Sequence, residues 1–166
     1  LTIQAMATAG TVAKNRPPNI VLIMADDLGF EWLGCYGNEE GRTPRLDALA
    51  AGGLRLTQFY VAAPVCSPSR AALLTGCYPK RVGMHRHVLF PKSDYGLNPA
   101  EHTIADQLRS QGYATACIGK WHLGFGVERP TNWNKRLRPG PLDFGFDYYF
   151  GVPVVTNPIA PVWRLI

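Results

Sequence analysis

Ile20-Val21-Leu22-Ile23-Met24-Ala25-Asp26-Asp27-Leu28-Gly29 decides the architecture of this chain. Six apolar residues run without alternation and stop at two adjacent carboxylates. An unbroken apolar run of this length predicts a strand buried on both faces, as in a parallel sheet covered by helices. The stretch from Asn15 to Asn19, with Pro17-Pro18, reads as an extended lead-in.

Working outward, Thr43-Pro44 predicts a helix start, with Thr as cap and Pro at the first position. Leu46 and Leu49 lie on its inner side, and Gly52-Gly53 closes it. Leu54 to Val61 alternates and is rich in β-formers, predicting a strand. Residues 64–68 read as loop, Ser69 to Thr75 as a short helix closed by Gly76, and 81–99 as irregular. Thr103 predicts another helix, carrying Ile104 and Leu108 and ending near Gly112. Tyr113 to Ile118 predicts a second apolar strand that runs into Gly119-Lys120-Trp121-His122. Residues 124–141 read as loop, and Asp143 to Val155 as an aromatic, strand-bearing segment with Tyr148, Tyr149 and Phe150 covering core. Strands alternating with helices argue for an α/β sandwich with a largely parallel central sheet.

The 166 residues are 46% apolar and 17% charged, a globular composition with room for one core. No apolar run reaches the roughly 18 residues of a membrane span. The net charge of +5 is dispersed and accompanies no nucleic-acid motif, so neither a nucleic-acid partner nor a membrane span is expected. Ala5-Met6-Ala7 and Ala7-Thr8-Ala9 are small-x-small patterns, so residues 1–16 are expected to be a disordered segment or the remnant of a secretory signal. Cys35, Cys66, Cys77 and Cys117 lack the paired spacings of a structural zinc site. His85 and His87 suggest either a metal pair or a solvated loop, and the loop is the expectation.

Three polar constellations fall at predicted strand exits or helix starts. Asp26 and Asp27 repel each other unless a cation neutralises them, and their hard oxygens suit calcium or magnesium. The bland alternative is an Asp cap beside a solvated neighbour. Cys66-Ser67-Pro68-Ser69-Arg70 places a cysteine just before a helix start, where backbone N–H groups favour an anion. Arg70, one turn on, adds a planar donor fork for an oxyanion. Three residues separate Cys66 from Arg70, whereas cysteine phosphatases have five. Lys120 and His122, two apart in extended chain, point the same way, and Trp121 faces the core. Together these supply a cation site, oxyanion donors and a nucleophile, as phosphoryl or sulfuryl transfer requires.

Cys66-Ser67-Pro68-Ser69-Arg70-Ala71-Ala72-Leu73-Leu74-Thr75-Gly76 resembles the signature of the type I sulfatases, members of the alkaline-phosphatase-like superfamily. Pro18 to Gly29 resembles that family's first strand with its metal aspartates, and Gly119 to Gly124 resembles its second signature. Tyr78-Pro79, Arg81, Gly83-Met84 and Gly145-Phe146-Asp147 follow as in relatives. The resemblance covers about Pro17 to Pro153. It implies that residues 17–166 are the N-terminal part of a catalytic domain with an incomplete alkaline-phosphatase-like α/β sandwich.

The same resemblance implies that Cys66 is oxidised to formylglycine by a maturation enzyme that reads Pro68 and Arg70 in the unfolded chain. It assigns Asp26, Asp27 and the converted Cys66 to a calcium ion, in preference to magnesium. Arg70 would hold the modified residue, Lys120 would bridge it and the sulfate, and His122 would assist deprotonation. The implied substrate is a sulfated small molecule or sulfated glycan, in a secreted, periplasmic or lysosomal-type compartment. Departures begin beyond Gly151: relatives carry a Ser-His or Ser-Asn pair where Val155-Thr156-Asn157 stands here. Two other readings remain, a phosphodiesterase or phosphonate hydrolase of the same superfamily and a truncated non-catalytic fragment. Aryl, steroid and sugar sulfates all stay open as substrates.

Overall fold

The computed structural model describes residues 3–6, 16–91, 93–128, 132, 134–135, 137–154 and 163–165. Val155, Thr156, Asn157 and most of the 1–16 segment lie outside the described residues. The chain divides into two compact units, one running to Val61 and the other starting at Ala62.

In the first unit, β1 (Ile3–Met6) pairs antiparallel with β2 (Val21–Met24). Thus a four-residue strand lies inside the segment read as disorder or leader. Strand β2 is the predicted apolar run, but it is not buried on both faces: Val21 is 55% and Ile23 54% exposed. A buried parallel strand needs neighbours and covering layers, and among the described residues its only ladder partner is β1. Leu54 to Val61 forms no strand, in contrast to the alternation that predicted one. Alternation reports a face to bury, whereas a strand also needs a partner for its backbone groups.

Helix α1 (Pro44–Gly52) starts and stops where Thr43-Pro44 and Gly52-Gly53 indicated. Thr43 occupies the cap position without capping the helix backbone. Its hydroxyl instead accepts from the Gly34 amide at 2.8 Å and donates to Asp47 Oδ1 at 3.0 Å. Leu46 and Leu49 are half-buried, not enclosed.

The second unit holds most of the buried side chains. Helix α2 (Cys66–Thr75) begins three residues before the predicted start. Its first backbone bond runs from the Ser69 amide to the Val65 carbonyl, so Pro68 lies in the turn where a missing N–H costs nothing. Gly76 closes it in the left-handed region, at φ 66°. Helix α3 (Ile104–Ser110) opens with a complete capping box: the Asp106 amide donates to Thr103 Oγ1 at 3.2 Å, and the Thr103 amide donates to Asp106 Oδ2 at 3.0 Å.

Strand β3 (Ala116–Ile118) pairs in parallel with β4 (Tyr148–Gly151), which pairs antiparallel with β5 (Trp163–Leu165). The β3–β4 pairing supplies the parallel element of the sheet. Beyond Ile118 the ladder continues irregularly, from Gly119 N to Phe150 O, Trp121 N to Val152 O, and His122 N to Pro153 O. This extension carries the Lys120-Trp121-His122 segment. Beneath it lies a core that includes Ala71, Met84, Leu89, Trp121, Phe144 and Tyr149. Trp121 packs on Phe144 and Phe146, and its indole N–H donates to the Gly124 carbonyl. Of the three aromatics expected to cover core, Tyr149 is fully buried, Tyr148 half-buried and Phe150 43% exposed. That order follows the alternation of a strand.

Candidate active site

Cys66 is the first residue of α2, within the turn whose amides have no helical carbonyl to bind, not before it. Its side chain is half-buried. Lys120 Nζ lies 3.4 Å from Cys66 Sγ, joining residues 54 positions apart. Arg70, one turn further along α2, donates from Nη1 to the Lys120 carbonyl at 2.5 Å. The helix and the strand exit are therefore tied twice, through the Lys120 side chain and through its backbone. A guanidinium on a main-chain carbonyl fixes the position of the lysine, not only its charge.

His122 is fully buried, and its φ of 60° lies in the left-handed region that non-glycine residues rarely adopt. The extended geometry that would turn Lys120 and His122 to one side ends at this residue. As a result, Trp121 and His122 are both buried although adjacent. His122 Nε2 is 2.6 Å from the Leu89 carbonyl oxygen. A carbonyl oxygen only accepts, so Nε2 carries the hydrogen and Nδ1 is the basic atom of the neutral ring. Leu89 also donates its amide to Ser67 Oγ at 3.0 Å. Neither Ser67 nor Leu89 was singled out in the sequence, where Ser67 fills a variable place in a signature and Leu89 lies in an irregular stretch.

Two further groups feel Arg70. Burial pushes the Cys117 thiol up to about 11, with the nearby Arg70 charge opposing the rise. Burial likewise raises the Tyr149 phenol, Cys117 adds to the effect, and Arg70 again opposes it. None of the four cysteines is in a disulfide. His85 and His87 are exposed, and His87 packs against the rings of Phe90 and Tyr95.

Asp26 and Asp27 belong to the first unit, at the exit of β2, and both are exposed. Asp27 has a φ of 54°, so the backbone turns sharply at the pair. Two adjacent exposed carboxylates form a hard-oxygen donor set, which fits a calcium ion and offers nothing to a soft metal. Cys66, Arg70, Lys120 and His122 all belong to the second unit.

A family model described as Sulfatase matches residues 18–161. Steryl-sulfatase of Mus musculus is 54% identical over 147 residues, covering 86% of this chain and 23% of its own length. Arylsulfatase A of Homo sapiens is 51% identical over 148 residues, covering 89% and 28%. A solved structure from Bacteroides thetaiotaomicron, from work on the metabolism of multiple glycosaminoglycans, matches with a TM-score of 0.74 at 36% identity, over 84% of this chain and 30% of that one. The chain thus spans about a quarter of the length of the curated relatives it matches. Its fold is the α/β fold of the alkaline-phosphatase-like sulfatases, present in part. With nearly the whole chain matched by the family model, this protein belongs to the sulfatase family.

Proposed function

We propose that this chain is the N-terminal part of a sulfuric ester hydrolase that cleaves sulfate esters through a formylglycine made from Cys66. The observation that carries the reading is the position of Cys66 at the head of α2, with Lys120 Nζ 3.4 Å from its sulfur and Arg70 anchoring the Lys120 backbone.

Conversion of Cys66 needs a maturation enzyme and its oxidant before folding is complete. Pro68 and Ser69 are buried in the folded chain and the Arg70 guanidinium is engaged, which supports recognition of the motif in the unfolded chain. Once formed and hydrated, the aldehyde would supply one hydroxyl that attacks sulfur and expels the alcohol, and a second whose deprotonation would regenerate the aldehyde and release sulfate. Lys120 holds its ammonium where the anionic oxygens gather, and Arg70 keeps that ammonium in place while adding its own charge. His122 accepts a proton at Nδ1, the only basic atom left by its bond to Leu89. Asp26 and Asp27 would hold calcium, which neutralises anionic oxygens and acts as a Lewis acid.

The substrate class that fits is a sulfated small molecule or a sulfated glycan, and the proposed compartment is secreted, periplasmic or lysosomal in type. No helix among the described residues is long and apolar enough to cross a membrane.

The test has two parts. After co-expression with a formylglycine-generating enzyme, the tryptic peptide Leu56 to Arg70 is weighed. The full-length protein carrying this chain is then assayed on an aryl sulfate and on a phosphate diester, with calcium and with chelator. Aldehyde at Cys66 together with calcium-dependent sulfate release is the expected result. A thiol that persists while a control sulfatase is converted would remove the nucleophile and with it the proposal. Preference for the phosphate diester would move the protein to the phosphodiesterase branch of the superfamily.

A further inference from the structure

Leu89 belongs to no motif, yet its backbone is held at both polar atoms by residues of the site. Its amide donates to Ser67 Oγ at 3.0 Å, and its carbonyl accepts from His122 Nε2 at 2.6 Å. Ser67 and His122 are fully buried and Leu89 is 1% exposed, so water cannot replace either bond. Ser67 follows Cys66 directly in the first turn of α2. The nucleophile and the imidazole are therefore joined through one side chain, one backbone and two hydrogen bonds.

The geometry points to Ser67 as a positioning residue that sets the tautomer and orientation of His122 through the Leu89 backbone. The inference deepens the function proposed above and rests on it, because it gives the buried imidazole its role in proton transfer. The logic is local. A ring that donates from Nε2 to a fixed carbonyl has a single neutral tautomer, with Nδ1 basic. The carbonyl stays fixed only while the preceding amide of the same residue is anchored, and Ser67 Oγ is that anchor. His122 also needs holding for its own reason: its φ of 60° is a strained backbone that persists only where the surroundings enforce it. Deleting the hydroxyl leaves the Leu89 amide buried without its acceptor. The segment then rotates to find another partner, and the carbonyl moves away from Nε2.

The test uses the full-length protein carrying this chain, labelled with 15N-histidine, as wild type, Ser67→Ala, Ser67→Thr and Ser67→Cys. The His122 ring signal is assigned by its loss in His122→Ala. The wild type is expected to show one neutral tautomer, protonated at Nε2. Ser67→Ala is expected to mix the tautomers and lower kcat about 100-fold, the scale of a catalytic group displaced by about 1 Å, with KM nearly unchanged. Ser67→Thr, which keeps the hydroxyl, should restore both. In a His122→Ala background, Ser67→Ala should cost almost nothing further. If Ser67→Ala does not fold, Ser67→Cys, close in volume and a weak acceptor, takes its place in the same cycle.

An unchanged tautomer in a folded Ser67 variant would overturn the inference, as would an equal fold-loss of kcat with and without His122. These failures differ from failure of the sulfatase reading. That reading fails if the wild type carries no formylglycine and releases no sulfate, and the proton-transfer role of His122, with the positioning role of Ser67 in it, then falls too, even where the tautomer responds.

Discussion

Replacing Gly151 with alanine sets a methyl group against the backbone of Gly119. A Cβ built on Gly151 overlaps the Gly119 carbonyl oxygen and lies 2.5 Å from the carbonyl carbon and 2.8 Å from the nitrogen. Carbon atoms in good contact are about 3.5–4.0 Å apart, so something has to move. Both partners are main chain, and neither can rotate away as a side chain would. Two ladder bonds hold the crossing, Gly119 N to Phe150 O at 2.8 Å and Val152 N to Gly119 O at 3.2 Å. Overpacking costs about 1–3 kcal/mol, and each lost bond about 0.5–1.5 kcal/mol. Gly151→Ala should therefore destabilise by about 2–6 kcal/mol, with steric crowding as the cause. Gly52→Ala serves as the control: a Cβ there meets nothing within 4 Å, and alanine in a helix should be neutral or stabilise by up to about 1 kcal/mol. The assay is urea denaturation of the full-length protein carrying this chain, comparing midpoints at equal m. Because Lys120 and His122 hang on the same ladder, sulfate release should fall together with stability. A Gly151→Ala midpoint equal to that of wild type would refute the claim that close backbone crossing fixes the Lys120 segment.

Lys120→Ala should lower kcat/KM for sulfate release by about 100-fold while leaving formylglycine formation intact, because the cation proposed to stabilise the anionic oxygens is lost and the proposed maturation motif is untouched. Peptide mass and a sulfate assay on the same sample check this. Cys117, with its thiol at about 11 against 9.0 for an ordinary thiol, should carry about 100-fold less thiolate near pH 8 than when unfolded. Its alkylation by iodoacetamide should accelerate at least that much in urea, followed by peptide mass. The sign for stability is that the raised value favours the folded chain at neutral pH and loses that advantage as pH rises from about 9 through 11. Asp147 is held below the ordinary carboxylate value, first by the Thr115 amide, then by the Thr115 hydroxyl, with Arg109 helping. Its stabilising effect is present above that range and lost as pH falls through the lowered value, so Asp147→Asn should flatten the acid limb of a thermal-stability profile.

Much of this protein could be read from local chemistry. Thr103 and Asp106 stand three apart, and a capping box needs only that spacing. Gly76 ends α2 because a left-handed residue is required there. The apolar run from Tyr113 to Ile118 pointed to β3, of which Ala116–Ile118 forms the strand, and the Cys66-to-Gly76 signature marked the helix that carries the proposed nucleophile. The helix cap and helix ends depend on neighbours within one or two turns, so the sequence determines them directly, whereas β3 also needs its ladder with β4. Pro68 shows where local reading stops. Taken alone it suggests a loop, but at the third position of a helix it costs no hydrogen bond, and the helix takes in Cys66.

What depended on long-range pairing was decided only in three dimensions. Among the described residues, Leu54 to Val61 alternates like a strand but has no ladder partner, and β2 is apolar yet largely exposed. Lys120 meets Cys66 across 54 positions, and Arg70 grips the Lys120 carbonyl across 50. Residue type suggested that these side chains share chemistry, while their separation and donor directions came from the β3–β4 crossing. Leu89 is the clearest case, since its contribution is made by backbone atoms that every residue possesses. No side-chain pattern could single it out, and only the fold brings its amide to Ser67 and its carbonyl to His122.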